Sequence, residues 1–374
     1  MCKGGEMCKV YFIILGLFLF GCVKKPVKIG VILPLSGALS SYGEMCWKGI
    51  KLAEKVINEA GGVKGRQIEL LLEDAEMEGK ALAAIEKLDK QGVVAVIGPL
   101  TTKSVIEIGE YANNAKLPVI TPTATGAEAT KGREWVWRIS FTDQFQGQTL
   151  AKFATQQLNV TSVCILLDIN EPYSAGLSGS FEQEFTDRGG RVLSKTTFTT
   201  GDTIFDDQLN VIKGYAPDCI FVPTFYKEAG LIIQRARDMG IAQPFIGGDG
   251  WDSPELQRLI GDRPGPNYYT TPFFYSYGGM EVQEFLQRFK NEYEIDPHTF
   301  SALGHDVLMV IQECLNLTKK VTRSEFKENI GKVKIEGATG TIDFVGAKDP
   351  KRSLILLKFE PGVPVEIMKV VAVF

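Results

Sequence analysis

The feature that most constrains the fold of this 374-residue chain is a regular alternation of strand-like and helix-like segments. From Lys28–Leu33 onward, short apolar runs of strand length are each followed by a segment with the apolar spacing of a helix. Parallel strands need long crossover connections, which are usually helices. The alternation therefore predicts an α/β protein with parallel sheets covered by helices on both faces.

The alternation forms two similar series, which predicts two lobes. The first series ends with a strand at Glu134–Ser140, and the second begins with a helix at Asp143–Gln157. Beyond Asn267 the order changes, because two helical patterns, Glu281–Tyr293 and Ser301–Leu317, follow one another. The first lobe lacks helices to cover its sheet, so we expect the chain to return there.

These patterns predict three crossings between the lobes, and hence a three-strand hinge. The crossings are expected near Ser140–Gly147, Thr271–Phe274 and Val345. Lobe one would comprise residues 27–141 and 273–345, and lobe two residues 142–272 and 346–374. Two lobes also suit the length, since roughly 350 residues exceed the usual size of one hydrophobic core.

The N-terminus predicts export and lipid anchoring. Lys3 and Lys9 precede the apolar run Val10–Phe20, which has the length of a signal-peptide core. A spanning anchor is the alternative, but the run is much shorter than the ~20 residues that cross a bilayer. The run ends at Gly21-Cys22, which resembles a bacterial lipobox. We therefore expect residues 1–22 to be a lipoprotein signal with lipid on Cys22. The protein would then be anchored to a membrane in the periplasm or at the cell surface.

Composition argues against several classes of function. The formal net charge of −4 suggests no nucleic-acid partner, which would require a basic face. Two histidines and the absence of a CxxC pair give a metal site almost no ligands, and we assign neither metal nor cofactor. The cysteines after Cys22 are scattered, so no disulfide is assigned; Cys164 and Cys219 lie in apolar runs where a buried thiol is expected.

The stretch Val96–Thr125 indicates where a ligand would bind. It has the pattern of a strand, a hydroxyl-bearing turn, a helix, a second strand and a second hydroxyl-bearing turn. In a parallel sheet both turns lie at the carboxyl ends of their strands, where open α/β sheets bind ligands. Thr102 is predicted as the N-cap of the helix, where free N–H groups suit a small carboxylate. Alternatively, Thr102 merely caps its helix and Thr125 merely ends a strand.

Other strand-end turns contribute aromatic rings and one carboxylate. The candidates are Tyr42, Tyr173, Phe225, Asp249, Trp251 and Phe300. A small apolar amino acid needs this mixture of donors, an acceptor for its ammonium and apolar walls. Each residue also has an ordinary explanation, because aromatic residues fill cores and Gly-Asp-Gly is common turn chemistry. Their coincidence at the turns of two series favours binding.

Several motifs resemble the branched-chain amino acid substrate-binding proteins of ABC importers. They are ILPLSG (Ile32–Gly37), INEAGGV (Ile57–Val63), VIGP (Val96–Pro99), PVITPTAT (Pro118–Thr125), QRARDMG (Gln234–Gly240) and GGDG (Gly247–Gly250). The resemblance covers nearly all of the chain after the signal. It implies a type I periplasmic binding protein fold with two Rossmann-like lobes. It also implies that the ligand is delivered to the permease subunits of an ABC transporter.

The resemblance also implies roles for individual residues. Thr102 and Thr125 match the hydroxyl residues that bind the ligand carboxylate, and Thr123 matches the carbonyl that accepts from the ammonium. Asp249 matches the acid that pairs with the ammonium. Tyr42, Tyr173 and Phe300 match the aromatic walls.

The chain departs from the family at a few positions. Phe225 replaces a tyrosine of the leucine/isoleucine/valine-binding type, and whether neighbouring Tyr226 compensates is left open. The family disulfide has no counterpart, since its positions hold Glu76 and Thr101. His305 stands where tyrosine is common before an aspartate, here Asp306, and we expect an effect on stability.

The predicted function is a monomeric receptor that binds an aliphatic amino acid between its lobes and delivers it by hinge closure. An enzyme is a rival, but Gly30, Gly37 and Gly43 do not have dinucleotide-binding spacing. A sensory module for a signalling partner is a second rival. A same-fold receptor for an amide, urea or an aromatic acid is a third, although a ligand without an ammonium would leave Asp249 unpaired.

Overall fold

The computed structural model describes residues 24–75 and 79–372. Two large sheets and one two-stranded ribbon contain the strands of these residues. The strands are β1 (Val27–Leu33), β2 (Ile68–Asp74), β3 (Ala95–Ile97), β4 (Val119–Thr121), β5 (Val136–Arg138), β6 (Ser162–Asp168), β7 (Arg191–Phe198), β8 (Cys219–Phe221), β9 (Phe245–Ile246), β10 (Asn267–Thr271), β11 (Lys334–Gly337), β12 (Gly340–Asp343), β13 (Ser353–Phe359) and β14 (Glu366–Ala372).

Helices connect most of these strands and cover the sheets. They are α1 (Ser40–Glu59), α2 (Lys80–Lys90), α3 (Thr102–Ala115), α4 (Asp143–Gln156), α5 (Pro172–Asp187), α6 (Asp206–Tyr215), α7 (Tyr226–Asp238), α8 (Pro254–Ile260), α9 (Met280–Tyr293), α10 (Thr299–Leu317) and α11 (Arg323–Asn329). Short 3-10 helices occur at Ala127–Ala129, Asp249–Trp251 and Ile330–Lys332. In the described part of the chain, no helix is both long and apolar enough to cross a membrane.

The first sheet is parallel throughout, in the order β2-β1-β3-β4-β5. β1, β3, β4 and β5 are almost wholly buried, as expected when helices cover both faces, whereas the edge strand β2 is mostly half-buried. We call this sheet and the helices packed on it the five-stranded half.

The second sheet is mixed, in the order β14-β13-β10-β9-β8-β6-β7. Its strands from β6 to β10 are parallel, whereas β13 runs antiparallel to β10 and β14 antiparallel to β13. We call this sheet and its helices the seven-stranded half. The α/β class and the two sheets confirm the fold predicted from the alternation, with an antiparallel edge that the alternation did not indicate.

The chain returns to the five-stranded half after β10. This is shown by α10, which packs along α1 of that half. The two helices approach so closely that glycine is required at the contact. A Cβ at Gly49 would lie 1.9 Å from the Ser301 carbonyl oxygen, and one at Gly304 would lie 2.2 Å from the Cys46 carbonyl oxygen. This close packing fixes Phe300, at the start of α10, beside Tyr42 of α1.

The four cysteines of the described residues, Cys46, Cys164, Cys219 and Cys314, are buried and unpaired. Burial raises the pKa of Cys164 to about 11 and holds the pKa of the other three thiols above their ordinary range. The expectation of buried thiols at Cys164 and Cys219 is confirmed.

Candidate functional site

One cavity between the two halves gathers all eight residues predicted to bind ligand. Its lining comprises Tyr42, Leu100, Thr101, Thr102, Thr123, Ala124, Thr125, Tyr173, Phe225, Asp249, Gly250 and Phe300. The cavity measures about 30 Å³, room for two or three water-sized spheres. The surrounding side chains are therefore already in close contact across the cleft.

Threonines from the ends of β3 and β4 form one wall of the cavity. The Thr102 hydroxyl accepts a hydrogen bond from the Gly126 N–H at 3.1 Å, and the Thr123 hydroxyl donates to the Leu100 carbonyl at 2.5 Å. Thr102, Thr123 and Thr125 are buried. These contacts tie the turn after β3 to the turn after β4, so the strand-end hydroxyls lie side by side at the N-terminus of α3.

The prediction that Thr102 is the N-cap of α3 is wrong by one residue. Thr101 has the extended backbone of an N-cap, and its hydroxyl accepts from the Ser104 N–H at 3.2 Å. Thr102 is the first helical residue, which frees its side chain to contact Gly126 in the neighbouring turn. Two consecutive threonines are equally good caps by residue type, so the sequence alone did not distinguish them.

Aromatic rings from both halves form the remaining walls. Tyr42 stacks on Phe300 with ring centroids 3.8 Å apart, and Tyr173 stacks on Phe225 at 5.4 Å. Trp251, also considered at the sequence level, is buried away from the cavity and donates from Nε1 to the Val222 carbonyl at 3.1 Å.

Tyr226 does not replace the hydroxyl that Phe225 lacks. Its hydroxyl donates to the Ala38 carbonyl at 3.1 Å and accepts from Ser41 at 3.3 Å, outside the cavity lining. The question left open by the sequence is thereby answered: the cavity has a phenyl ring at this position.

Asp249 brings a carboxylate into the cavity from the turn after β9. Its Oδ1 accepts from Gln146 Nε2 at 2.9 Å and from the Tyr173 hydroxyl at 3.0 Å. Burial raises the pKa of Asp249 to about 6, although both hydrogen bonds act to lower it. Sequence reasoning missed Gln146 because it lies inside α4, and only the packing of α4 against the β9 turn reveals its role.

Further buried carboxylates surround the cavity and were not predicted. Burial raises the pKa of Asp143 well above its usual range, and raises the pKa of Glu171 to about 7. Glu171 lines a neighbouring cavity of about 190 Å³ together with Lys103 and Glu228. The cleft therefore has an acidic character on the side of the seven-stranded half.

Direct hydrogen bonds join the two halves at the cavity. The Tyr42 hydroxyl donates to the Gly250 carbonyl at 2.5 Å and accepts from the Tyr226 N–H at 3.4 Å. The Asp143 N–H donates to the Thr125 carbonyl at 3.0 Å, where β5 leads into α4. The halves are thus in contact both at the cavity and beside it.

A fully buried arginine supports the threonine wall. Arg138 donates to the Ala124 and Gly126 carbonyls at 2.9 and 2.8 Å, on either side of Thr125. Its Nε also pairs with Asp349 Oδ1 at 2.7 Å. Arg138 therefore fixes the backbone of the Thr125 turn.

The remaining site predictions concern metal and lipid. Among residues 24–75 and 79–372, no group of three or more His, Cys, Asp and Glu side chains is arranged to hold a metal ion. Cys22, the predicted lipid attachment site, the signal sequence 1–22 and Glu76 lie outside the described residues.

Comparison with known proteins identifies a family. The sequence model of a family described as periplasmic binding protein matches residues 26–353. Among curated proteins, Leu/Ile/Val-binding protein homolog 3 of Brucella melitensis is 27% identical over 237 residues, covering 63% of this chain. The matched region spans 64% of that relative's length, which is less than two thirds.

Solved structures match over almost the full length. A leucine-binding protein from Thermotoga maritima has 32% identity and a TM-score of 0.87, covering 92% of this chain and 98% of its own. A branched-chain amino acid transporter substrate-binding protein from Streptococcus pneumoniae, in complex with isoleucine, has 30% identity and a TM-score of 0.85. That match covers 93% of this chain and 99% of the other.

Proposed function

The chain belongs to the periplasmic binding protein family, and on that premise we propose that it is an extracytoplasmic receptor for an aliphatic amino acid of the branched-chain type. The observation that carries the proposal is the composition of the cavity. Threonines of the turns after β3 and β4 lie on one half, Asp249 lies on the other, and aromatic rings from both halves complete the lining. Groups suited to a carboxylate and to an ammonium therefore line one small site with apolar walls.

Each part of a zwitterionic ligand has a partner in this arrangement. The hydroxyls of Thr102 and Thr125, with the first N–H groups of α3, would bind the α-carboxylate. The Thr123 carbonyl and Asp249 would bind the ammonium. Pairing both charges matters, because an ion buried without partners costs several kcal/mol.

The rings of Tyr42, Tyr173, Phe225 and Phe300 would surround the aliphatic side chain. With phenylalanine at 225, this position offers apolar contact and no hydroxyl, so Asp249 and the Thr123 carbonyl carry the recognition of the ammonium. An aliphatic side chain suits these walls because it buries apolar surface without leaving a polar group unpaired.

The two halves would act as the lobes of a hinged receptor. We propose lobes at 27–141 with 273–345 and at 142–272 with 346–374, joined by three crossings. Ligand would bind first to the threonine wall, and closure would then bring Asp249 and Tyr173 over it. Hinge closure around ligand is a recognised transition of periplasmic binding proteins. The closed state is favoured only by contacts that the ligand makes there and not in the open state.

We further propose that the receptor works as a monomer anchored by lipid on Cys22 and delivers its ligand to the permease of an ABC importer. The family membership supports a location outside the cytoplasm. The resemblance to transporter-associated proteins supports a receptor in preference to an enzyme or a sensory module.

A thermal-shift screen of the protein lacking residues 1–22 tests the proposal. We expect leucine, isoleucine or valine to raise the melting temperature, since ligand at 100 times its Kd adds about 2.7 kcal/mol of stability. Asp249→Asn should abolish the rise, because the ammonium loses its charged partner. Asp207→Asn, at an exposed position on α6, is the matched control and should leave the rise unchanged.

The panel should include amides, urea and aromatic acids. A rise produced only by these compounds would retain the receptor and reject the amino acid as its ligand. A rise with leucine that persists in Asp249→Asn would reject the ammonium site.

A further inference from the structure

Gln146, which is fully buried on α4, holds Asp249 at two points. Its Nε2 donates to Asp249 Oδ1 at 2.9 Å, and its Oε1 accepts from the Asp249 backbone N–H at 2.8 Å. The Thr270 hydroxyl donates to the same Oε1 at 2.5 Å. Because a backbone N–H can only donate, the orientation of the Gln146 amide is determined and its NH2 group must face the carboxylate.

The turn before Asp249 is shaped to admit this contact. A Cβ on Gly248 would lie 2.5 Å from Gln146 Oε1 and 2.4 Å from the Tyr173 hydroxyl oxygen. Any larger residue at this position would push the Gln146 amide and the Tyr173 hydroxyl away from Asp249. The close approach of backbone to Gln146 is therefore built into the sequence of the turn.

Both side-chain donors contact the same oxygen of Asp249. Gln146 and Tyr173 each donate to Oδ1, from α4 and α5 respectively. Hydrogen bonds hold both the Oδ1 atom and the backbone N–H of Asp249, so its side chain has a fixed rotamer. Its second oxygen, Oδ2, then has a fixed direction for an ammonium.

We propose that Gln146 is a positioning residue for ligand binding, which holds the Asp249 carboxylate in the orientation that pairs with the ammonium. The inference rests on the proposed function and deepens it, because it assigns the recognition of the ammonium to a pair of residues. Gln146 itself does not line the cavity.

The charge environment of Asp249 gives the pairing a pH signature. Burial raises its pKa to about 6, and the hydrogen bonds from Gln146 and Tyr173 oppose that rise. The titratable groups that face it are Tyr173 on α5, Asp143 on α4, Asp252 on the same turn and Tyr42 on α1. Ionised acids among these raise the pKa of Asp249 further. Because the hydrogen bond from Gln146 lowers that pKa, its loss should move the titration of Asp249 to higher pH.

The test measures the Kd for leucine by isothermal titration calorimetry between pH 5 and 8. Gln146→Met keeps the length of the side chain and removes both hydrogen bonds to Asp249 as well as the one from Thr270. Gln146→Glu keeps an acceptor while placing a second carboxylate beside Asp249. We expect both variants to weaken binding about tenfold at pH 6, with a smaller loss at pH 8 and an acid midpoint shifted upward. Gln144→Met, an exposed position on the same helix, should match the wild type.

Each result has one meaning. An acid midpoint and a Kd equal to those of Gln144→Met would overturn the inference. A uniform loss of affinity with an unchanged midpoint would also overturn it, since that is the signature of packing alone. Gln146→Glu keeps the test available if Gln146→Met does not fold. A wild-type protein that binds no amino acid rejects the proposed function, and this result is seen before any variant is measured.

Discussion

Asp249 should make the stability of the ligand-free protein depend on pH. Its pKa is raised from 3.8 to about 6 on burial, so between these values the folded protein binds more protons than the unfolded chain. Stability contributed by this group therefore falls as pH rises through that window. We expect Asp249→Asn to melt higher than the wild type at pH 7.5 and to lose most of that advantage at pH 4.

Melting curves of both proteins across this pH range, without ligand, measure the difference directly. A constant difference between pH 4 and 7.5 would show that Asp249 titrates at its ordinary value. Ligand should reverse the order at pH 7.5, because an ammonium stabilises the ionised carboxylate that burial alone disfavours.

At the scale of elements, the ribbon formed by β11 and β12 depends on one buried acid of α10. Asp306 accepts from the Ala338 and Thr339 N–H groups at 2.8 and 2.7 Å, and from the Thr339 hydroxyl at 2.6 Å. Burial alone would raise the pKa of Asp306, but hydrogen bonds from His305 and Thr339 hold it below its ordinary value. The ribbon turn is thus hydrogen-bonded to α10 through the Asp306 carboxylate.

We expect Asp306→Asn to destabilise the protein by about 2–4 kcal/mol. The hydrogen bonds to a buried charge are lost, and the NH2 group of the asparagine would face the N–H group of Ala338 or Thr339. Glu336→Gln, at an exposed position on β11, is the control and should change stability little. Chemical denaturation at pH 7 measures both. Equal stability of the two variants would show that the ribbon does not depend on Asp306.

Elements with a clear apolar pattern could be predicted from the sequence. The extent of α9 follows the pattern at Glu281–Tyr293 closely, whereas α8, α11 and β11 were not indicated because their four to seven residues carry little periodicity. Seven of the eight cavity residues were found because they follow strands, whereas Phe300 follows helix α9 and its placement at a strand-end turn is wrong. Gln146 and Glu171 were missed because their roles depend on how helices pack, which no local pattern encodes.

At the scale of the whole molecule, the proposed hinge closure requires the two halves to separate before a ligand can enter the small cavity between them. Tyr42 joins them through its hydroxyl, which contacts Gly250 and Tyr226. Tyr42→Phe keeps the stacking on Phe300 but removes these hydrogen bonds. A net loss of about 1 kcal/mol would shift the ligand-free equilibrium roughly fivefold toward open forms.

Small-angle X-ray scattering should detect this shift as a larger radius of gyration of the ligand-free variant, which ligand then reverses. Tyr215→Phe, an exposed tyrosine on α6, is the control. An unchanged radius in Tyr42→Phe would mean that other contacts set the balance between open and closed forms.

The burial of all four described thiols has a practical consequence for spectroscopy. A cysteine introduced at exposed Ile204, which is 77% accessible, would react with a maleimide dye far faster than the buried native thiols in the part of the chain that the structure describes. The dye would sit on the loop between β7 and α6, and a second dye on the opposite half would report their separation by energy transfer. The burial of the thiols at residues 24–75 and 79–372 thus makes this part of the chain a suitable scaffold for a fluorescent sensor.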